Sequence, residues 1–342
     1  MVQGVDVVAT KASCSRSCFF KAFFILLTTV NFGLLSLNVV AATLPVDSVD
    51  ILYHGYDGGG MDINGPFVLM RKSIGTQVSV NGHYYVDSVS AASIDVVTSG
   101  ASEYTEERTE LSAGVDYLHE KTMLSVGYTE SEENDFLAKT VFMSVNQDFF
   151  GDLSKVTMAY SRGWDEISKI GDEVINEADR QNFKIGFSQI LTKSSLMGFD
   201  VETITDEGFL QNPYRSYRLL SADKTEWSNE PEHYPDTHTS TAVAIRGLYY
   251  LPYRASIKAE YRFFSDSWGV KANTYELLYV HPLGDAWTLE AKVRYYSQTQ
   301  ADFYSDLFEA DTQDFKARDK ELSTYSDITY GAGVTYELGK GF

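Results

Sequence analysis

Hydrophobic and polar residues alternate in steps of two along much of the chain, and the final stretch, 324–342, shows the alternation most clearly. From position 327 onward, its even positions are apolar apart from Lys340, and its odd positions are small or polar. The apolar set is Ile328, Tyr330, Ala332, Val334, Tyr336, Leu338 and Phe342. Alternation over about ten residues is typical of a transmembrane β-barrel strand, with one face toward lipid and one toward the lumen. A soluble β-sandwich is the alternative.

The same periodicity predicts about fourteen strands in an antiparallel up-and-down barrel. Short turns alternate with longer loops, and an even strand number places both termini at the end of the short, periplasmic turns. The longer, extracellular loops are predicted at 88–104, 163–179, 206–236 and 299–323. The predicted strands are 46–56, 65–72, 76–87, 105–119, 122–130, 135–149, 153–162, 180–191, 195–205, 237–250, 253–265, 269–281, 285–298 and 324–342.

The first 42 residues have the pattern of an export signal. Lys11, Arg16 and Lys21 precede an apolar run over 22–37, and Ala41 and Ala42 offer a small-residue cleavage site. A membrane anchor is the alternative, but the run is short and interrupted by polar residues, whereas a spanning helix needs about 20 apolar residues. We therefore expect a cleaved signal peptide at 1–42 and one barrel domain at 43–342, in the outer membrane of a Gram-negative bacterium.

Composition and charge narrow the range of partners. The chain of 342 residues has a formal net charge of −20 and is 14% aromatic. Nucleic acid is excluded as an expected partner, because phosphate binding needs a basic surface that this sequence does not show. Both cysteines, Cys14 and Cys18, lie within the predicted leader. The exported part therefore has no disulfide or thiolate metal site.

Charged residues occupy the polar face of four consecutive predicted strands. Lys or Arg facing lipid at mid-depth would cost roughly 2–4 kcal/mol, so these side chains are expected to line the lumen. The predicted wall consists of Arg246, Lys258, Glu260, Arg262, Glu276, Glu290, Lys292 and Arg294. Two interpretations are open: a salt-bridge ladder that stiffens the wall, or a charged constriction that selects a solute.

The longest predicted loop, 206–236, is the candidate plug of the barrel. Aromatic and guanidinium groups in it are suited to packing against a charged wall, although a loop on the outer surface is equally consistent with the sequence. The candidate residues are Asn212, Pro213, Tyr214, Arg215 and Arg218.

Motifs for catalysis or cofactor binding are not found in the sequence. The six histidines form neither HExxH nor CxxCH, and the acidic segments 165–177 and 302–314 lack calcium-loop spacing. We therefore expect no enzyme activity, metal or cofactor. An outer-membrane hydrolase is the third hypothesis, for which His83 and His119 are conceivable members, though the sequence does not select them.

Several segments resemble the bacterial family known as domain of unknown function 3570. They are GGGMDINGP at 58–66, YYVDSVSAASID at 84–95, DEGFLQNPYR at 206–215, Tyr234–Pro235, Leu251–Pro252, ADFY at 301–304 and ARDKELS at 317–323. The similarity extends over nearly the whole chain after the leader. It implies an outer-membrane protein without defined catalytic residues and a loose association with periplasmic redox or flavin-transfer systems. It also implies that segments 206–215 and 317–323 are ordered and fold into the barrel mouth.

The expected function is a narrow channel or a scaffold with a charged lumen, and the alternative is a plugged barrel that binds a periplasmic or surface partner. The expected partners are outer-membrane lipid, a small solute or a periplasmic protein. The terminal Phe342 is expected to be read by the barrel-assembly machinery.

Overall fold

The computed structural model describes residues 43–58, 61–91, 104–221, 224–309 and 313–337, and most residues in these ranges lie in strands. A single 3₁₀ turn, η1, covers Lys320–Leu322. The strands are β1 (Ser48–Gly58), β2 (Met61–Ile74), β3 (Val78–Ala91), β4 (Tyr104–His119), β5 (Thr122–Glu132), β6 (Phe136–Phe149), β7 (Ser154–Ile167), β8 (Asn176–Thr192), β9 (Ser195–Gly208), β10 (Ser216–Leu220), β11 (Trp227–Pro231), β12 (Thr237–Tyr250), β13 (Ser256–Asp266), β14 (Lys271–Leu283), β15 (Trp287–Gln298) and β16 (Tyr325–Tyr336).

Fourteen strands form one antiparallel sheet in which every strand pairs with the next, and β10 and β11 form a separate hairpin. This confirms the predicted all-β, up-and-down barrel class and its strand number. The ends of the strand order are β1 and β16, the two strands that complete such a barrel when they meet. Ladders join all consecutive strands, and none is recorded between β1 and β16 in the described ranges.

One end of the sheet has only short connections, and the longest connections lie at the other end. At the end that holds the beginning of β1 and the end of β16, the connections contain only two to five residues. At the opposite end, β9 and β12 are joined by residues 209–236, and β15 and β16 by residues 299–324. The predicted asymmetry of the two ends is therefore confirmed, with exceptions at 133–135 and 267–270, which are short connections at the loop end. Phe342 lies outside the described residues.

Register separates an apolar outer face from a polar inner face. On the outer face, Tyr261 lies opposite Tyr275 and Tyr275 opposite Tyr295, in a row that continues to Ile328 of β16. Tyr330 and the other described even positions of β16 share this face. The outer aromatic and aliphatic side chains are largely solvent-exposed in the isolated chain, as expected for a surface that contacts lipid.

One predicted loop is shorter than expected, because β7 continues to Ile167 and β8 begins at Asn176. The prediction of a loop over 163–179 was wrong at both edges. Asp165, which lies within this predicted loop, is buried on the inner face, where Arg180 Nη2 lies 3.1 Å from its Oδ2. Ion pairing allows a charged strand end to continue the ladder.

The two longest loops pack together into an ordered cap at the loop end. Main-chain bridges join His233 to Lys316 and Leu219 to Phe308. A buried cluster of apolar side chains unites these loops with the neighbouring strand ends. Its members are Ile167, Ala178, Leu210, Tyr234, Trp268, Val270, Ala301, Phe303, Tyr304 and Ala317. We call residues 209–236 together with 299–324 the cap.

The described residues contain no helix that is long and apolar enough to cross a membrane.

The two faces of β6 provide a test at matched depth. Met143 lies on the outer face opposite Val126 and Tyr160, whereas the adjacent Ser144 lies on the inner face opposite Ser125 and Ala159. We expect Met143→Arg to destabilise the protein in lipid vesicles by about 2–4 kcal/mol, because it places a guanidinium in hydrocarbon. Ser144→Arg should cost much less, as measured by urea unfolding. Equal losses would contradict the assignment of the faces.

Candidate functional site

All eight predicted wall residues lie on the inner face of β12–β15. In the ladders, Arg246 lies opposite Glu260, Glu260 opposite Glu276, and Glu276 opposite Arg294. Lys258 and Lys292 both lie opposite Leu278. The inward periodicity predicted from sequence therefore brings these charges into one continuous patch, which we call the charged wall.

Ion pairs of alternating sign connect the charged wall. Arg246 Nη2 lies 2.6 Å from Asp200 Oδ2, and Arg246 Nε donates a hydrogen bond of 3.1 Å to Glu260 Oε2. Lys258 Nζ lies 3.3 Å from Glu260 Oε2 and 3.7 Å from Glu276 Oε1. A cation between two carboxylates can pair with both and reduces the electrostatic cost of placing them close together.

Further ion pairs extend this pattern to β15 on one side and to β9 on the other. Lys292 Nζ lies 3.2 Å from Glu276 Oε2, and Arg262 Nη2 lies 3.3 Å from Glu202 Oε2 on β9. The guanidinium of Arg294 lies 5.6 Å from the centroid of the Tyr296 ring, within cation–π range. Sequence analysis missed Asp200 and Glu202, which share this face, because the long connection between β9 and β12 hides their register.

A glycine makes room for the largest side chain of this network. Gly198 lies opposite Arg246, and a Cβ at Gly198 would come within 2.8 Å of Arg246 Cγ. The arginine can therefore lie flat across β9 and reach Asp200.

Histidines and carboxylates form a second polar cluster on the inner face of β1–β4, which we call the histidine wall. His54 Nε2 lies 2.7 Å from Asp87 Oδ1, and His83 Nε2 lies 2.8 Å from Glu110 Oε1. The hydroxyl of Ser112 lies 2.7 Å from His83 Nδ1. Of these residues, sequence analysis had singled out only His83, because the predicted loop 88–104 concealed the register between β3 and β4.

Between these two walls the inner face carries small polar side chains. They come from β5, β6 and β7 and include Ser125, Thr129, Thr140, Ser144, Asn146, Thr157 and Ser161. Side chains of this size extend only a short way from the sheet, and they present hydroxyl and amide groups that water can bond.

The predicted plug residues lie in the cap. Asn212 and Pro213 form a turn in which Asn212 Oδ1 accepts a hydrogen bond from the Tyr214 amide. The Tyr214 hydroxyl contacts Asp135 and accepts from the Ile170 amide, while Arg215 Nη1 lies 2.8 Å from Asp319 Oδ1. These partners belong to strand ends and other loops, so these contacts join the segment to the cap and rim.

Arg218 lies in the β10–β11 hairpin opposite Asn229. Its carbonyl accepts a hydrogen bond from the Phe308 amide, which ties the hairpin to the second cap loop. A role of the segment as a plug stays a prediction.

A buried carboxylate connects the two loops of the cap. Glu232 accepts a 2.6 Å bond from the Tyr234 hydroxyl and a 2.7 Å bond from the Arg318 amide. Desolvation raises the pKa of Glu232 despite these bonds, and it likewise raises the pKa of Tyr234. The cap therefore contains an acid that resists ionisation.

Three carboxylates approach one another at the loop end of β4–β6. Ligand atoms of Glu106, Glu133 and Asp135 all lie within 4.8 Å of one another. Oxygen ligands of this type suit hard divalent cations. Sequence analysis did not single out this group, whose members come from two separate segments.

A family model described as "Protein of unknown function (DUF3570)" matches residues 73–342. The segment 58–66, which shares the resemblance noted in the sequence, precedes the matched region. Among proteins with curated descriptions, none matches this chain.

Similar solved structures are outer-membrane proteins at low identity. OmpT of Vibrio cholerae shares 11% identity with a TM-score of 0.44, and the match covers 86% of this chain and 100% of that one. The siderophore receptor PirA from Acinetobacter baumannii shares 10% with a TM-score of 0.41, over 72% of this chain and 42% of the receptor. PirA from Pseudomonas aeruginosa shares 9% with a TM-score of 0.41, over 85% and 52%.

The chain thus spans about half or less of the length of either receptor. At identities this low, the activities of these proteins are not assigned to this chain.

The buried acid makes the stability of the cap depend on pH. Below the ordinary pKa of 4.5, Glu232 is neutral whether the cap is docked or open; above its raised pKa, docking must bury a charge. The docked cap should therefore weaken as pH rises above 4.5 and through the raised pKa of Glu232. Asp306, whose pKa is lowered from 3.8 by Lys320, acts in the opposite direction only at lower pH.

Hydrogen exchange would measure this effect. The amides of Lys316 and Ala317 bond across the cap to the carbonyls of His233 and Phe303. We expect their protection factors to fall several-fold over this pH range, and we expect Glu232→Gln to flatten the dependence. A pH dependence that is unchanged in Glu232→Gln would assign the effect to another group.

Proposed function

For this chain, which belongs to the DUF3570 family of proteins of unknown function, we propose the function of a narrow channel for small hydrophilic solutes across the outer membrane, gated by its cap. The observation that carries the proposal is the inner face, which is predominantly polar in the three regions described above. Water needs such a lining in order to enter a barrel, and side chains fill the interior of eight-stranded barrels but leave open channels at 16–18 strands. Fourteen strands lie between these limits.

The charged wall is evidence for a lumen that selects solutes by charge, rather than one that admits any small solute. Its ion pairs are half-exposed to the interior, with Arg262 and Glu202 at 39% and 24% side-chain exposure. Rings of charged side chains are a common means of ion selection in channels. The same pairs hold the side chains in fixed positions, so they stiffen the wall as well as charge it.

The cap supports control at the outer mouth. Its loops are joined by main-chain bridges and by a buried apolar cluster, so it forms an ordered structure across the loop end. A structure of this kind would open by local unfolding or displacement, since loops and lids are the low-stability parts of most proteins. The channel is therefore expected to conduct rarely while the cap is docked.

A second function follows if the cap stays closed. A permanently capped barrel would present the ordered cap as a binding surface for a partner outside the cell, with the barrel serving as its anchor. Removal of the β10–β11 hairpin distinguishes the two functions.

Planar-bilayer recordings should compare the unmodified protein with a variant in which residues 216–231 are replaced by a short Gly-Ser linker. We expect infrequent openings in the first and frequent, longer openings in the second, because the linker removes the contact between Leu219 and Phe308. A linker of equal size replacing residues 251–255, at the opposite end, is the control. Silence in both proteins would contradict the channel and favour the capped anchor.

Selectivity should depend on the inner cations. We expect Arg262→Ala and Lys292→Ala to shift the permeability ratio toward cations by about twofold, because each removes a positive charge that pairs with a carboxylate of the wall. Lys139→Ala is the matched control, since Lys139 lies on the outer face near Glu166. The measurement is the reversal potential in a salt gradient, and an equal shift in the control would contradict an inner-face origin.

A further inference from the structure

The histidine wall contains an arrangement that neither the channel nor its gate requires. Ser112 of β4 lies directly opposite His83 of β3, and the Ser112 hydroxyl is 2.7 Å from His83 Nδ1. On the other side of the ring, His83 Nε2 lies 2.8 Å from Glu110 Oε1. We propose that Ser112 is the nucleophile, His83 the general base and Glu110 the positioning residue of an ester-hydrolysing site.

The hydrogen bonds require a definite state of the histidine. Glu110 can only accept when ionised, so His83 Nε2 carries a proton and donates it to the carboxylate. Nδ1 is then unprotonated and accepts from the Ser112 hydroxyl. A nucleophile, a base and a group that orients the base form the general pattern of activated serines.

Glu110 is itself held in place. The Nη2 group of Arg108 donates to Glu110 Oε2, and Arg108 Nε donates a 2.8 Å bond to the Ser131 hydroxyl. The carboxylate therefore contacts an arginine with one oxygen and the imidazole with the other. This arrangement keeps Glu110 charged and fixes the ring of His83.

The surroundings indicate the class of substrate. Phe67 packs against His83 with the ring centroids 5.7 Å apart, and Leu69 lies opposite His83 on β2. These side chains form an apolar surface beside the base that suits a short acyl chain. Thr129 lies opposite Ser112 on β5 and supplies a hydroxyl near the reacting oxygen. We therefore assign a short-chain carboxylic ester as the substrate.

The reaction balances with water alone. Ser112 Oγ attacks the ester carbonyl, its proton passes to His83 Nδ1, and the alcohol leaves with that proton as the acyl–enzyme bond forms. Water then gives a proton to His83 and its hydroxyl to the acyl carbon, which releases the acid and restores the Ser112 hydroxyl. No oxidant, metal or further reactant is consumed.

Access to this site is through the lumen. Ser112 and His83 occupy the middle of their strands, well inside both ends of the sheet. The inference therefore rests on the proposed channel to the extent that an ester must enter the barrel. A test must separate access from reactivity.

Access can be measured with a single thiol. Residues 43–342 contain no cysteine, so Ser112→Cys in a background with Cys14→Ser and Cys18→Ser carries one thiol. A small methanethiosulfonate reagent should label it if solutes reach the site. A thiol that stays unlabelled in the folded protein would overturn both the channel and the ester site.

Reactivity is measured with diisopropyl fluorophosphate on the unmodified protein, followed by mass spectrometry of the Ser112 peptide, and with p-nitrophenyl acetate turnover. We expect labelling of Ser112, its loss in Ser112→Ala, and a decrease of about a hundredfold in His83→Gln. Ser125→Ala is the matched control, because Ser125 also lies on the inner face but bonds Asp116 rather than a histidine. Each variant should unfold at the same temperature as the unmodified protein.

The Glu110→Gln variant tests whether Glu110 positions His83 for catalysis or only stabilises the fold. We expect Glu110→Gln to slow the labelling of Ser112, because the carboxylate that accepts from His83 Nε2 is lost, and Glu110→Asp to restore part of the rate. A labelled thiol in Ser112→Cys with no organophosphate labelling of Ser112 would overturn the ester site and leave the channel intact.

Discussion

The architecture depends on one constraint: a chain that crosses a bilayer in strands must satisfy every backbone N–H and C=O within the protein. The antiparallel ladder meets that requirement for the strands that are paired on both sides, β2–β9 and β12–β15. Once the ladder is fixed, successive side chains of each strand point to opposite faces, so alternate residues face lipid and lumen. An inner position can then hold a charge that would be prohibitive one residue away on the outer face.

The inner charges are arranged under the same constraint. On β9 and β12–β15, cations and carboxylates alternate, so that Arg246 and Lys258 each contact two acids. On β1–β4, two histidines face carboxylates, Arg71 contacts Asp116, and Arg108 contacts Glu110, which also faces His83. The first wall pairs its carboxylates with lysines and arginines, whereas the second pairs them with histidines as well as arginines. The two walls therefore offer different chemistry within one lumen.

Sequence periodicity predicted the strand number, the asymmetry of the two ends and the inward position of all eight wall residues, because each depends on local pattern. The partners of those residues were less accessible. Asp200 meets Arg246 only through the register across residues 209–236, and Ser112 meets His83 only across the long β3–β4 connection. Short turns transmit register from one strand to the next, and long loops do not.

The structure of each long cap loop depends on contacts with other connections, so it could not be predicted from that loop alone. Arg215 and Tyr214 are suited to packing against charge, as their sequence indicated, but their partners are Asp319 and Asp135 on other connections. Each cap loop is too small to bury an apolar core alone, and together they bury Tyr234, Phe303 and Trp268 at the barrel mouth. Its order is therefore a property of two distant segments, and any change that opens the mouth must first separate them.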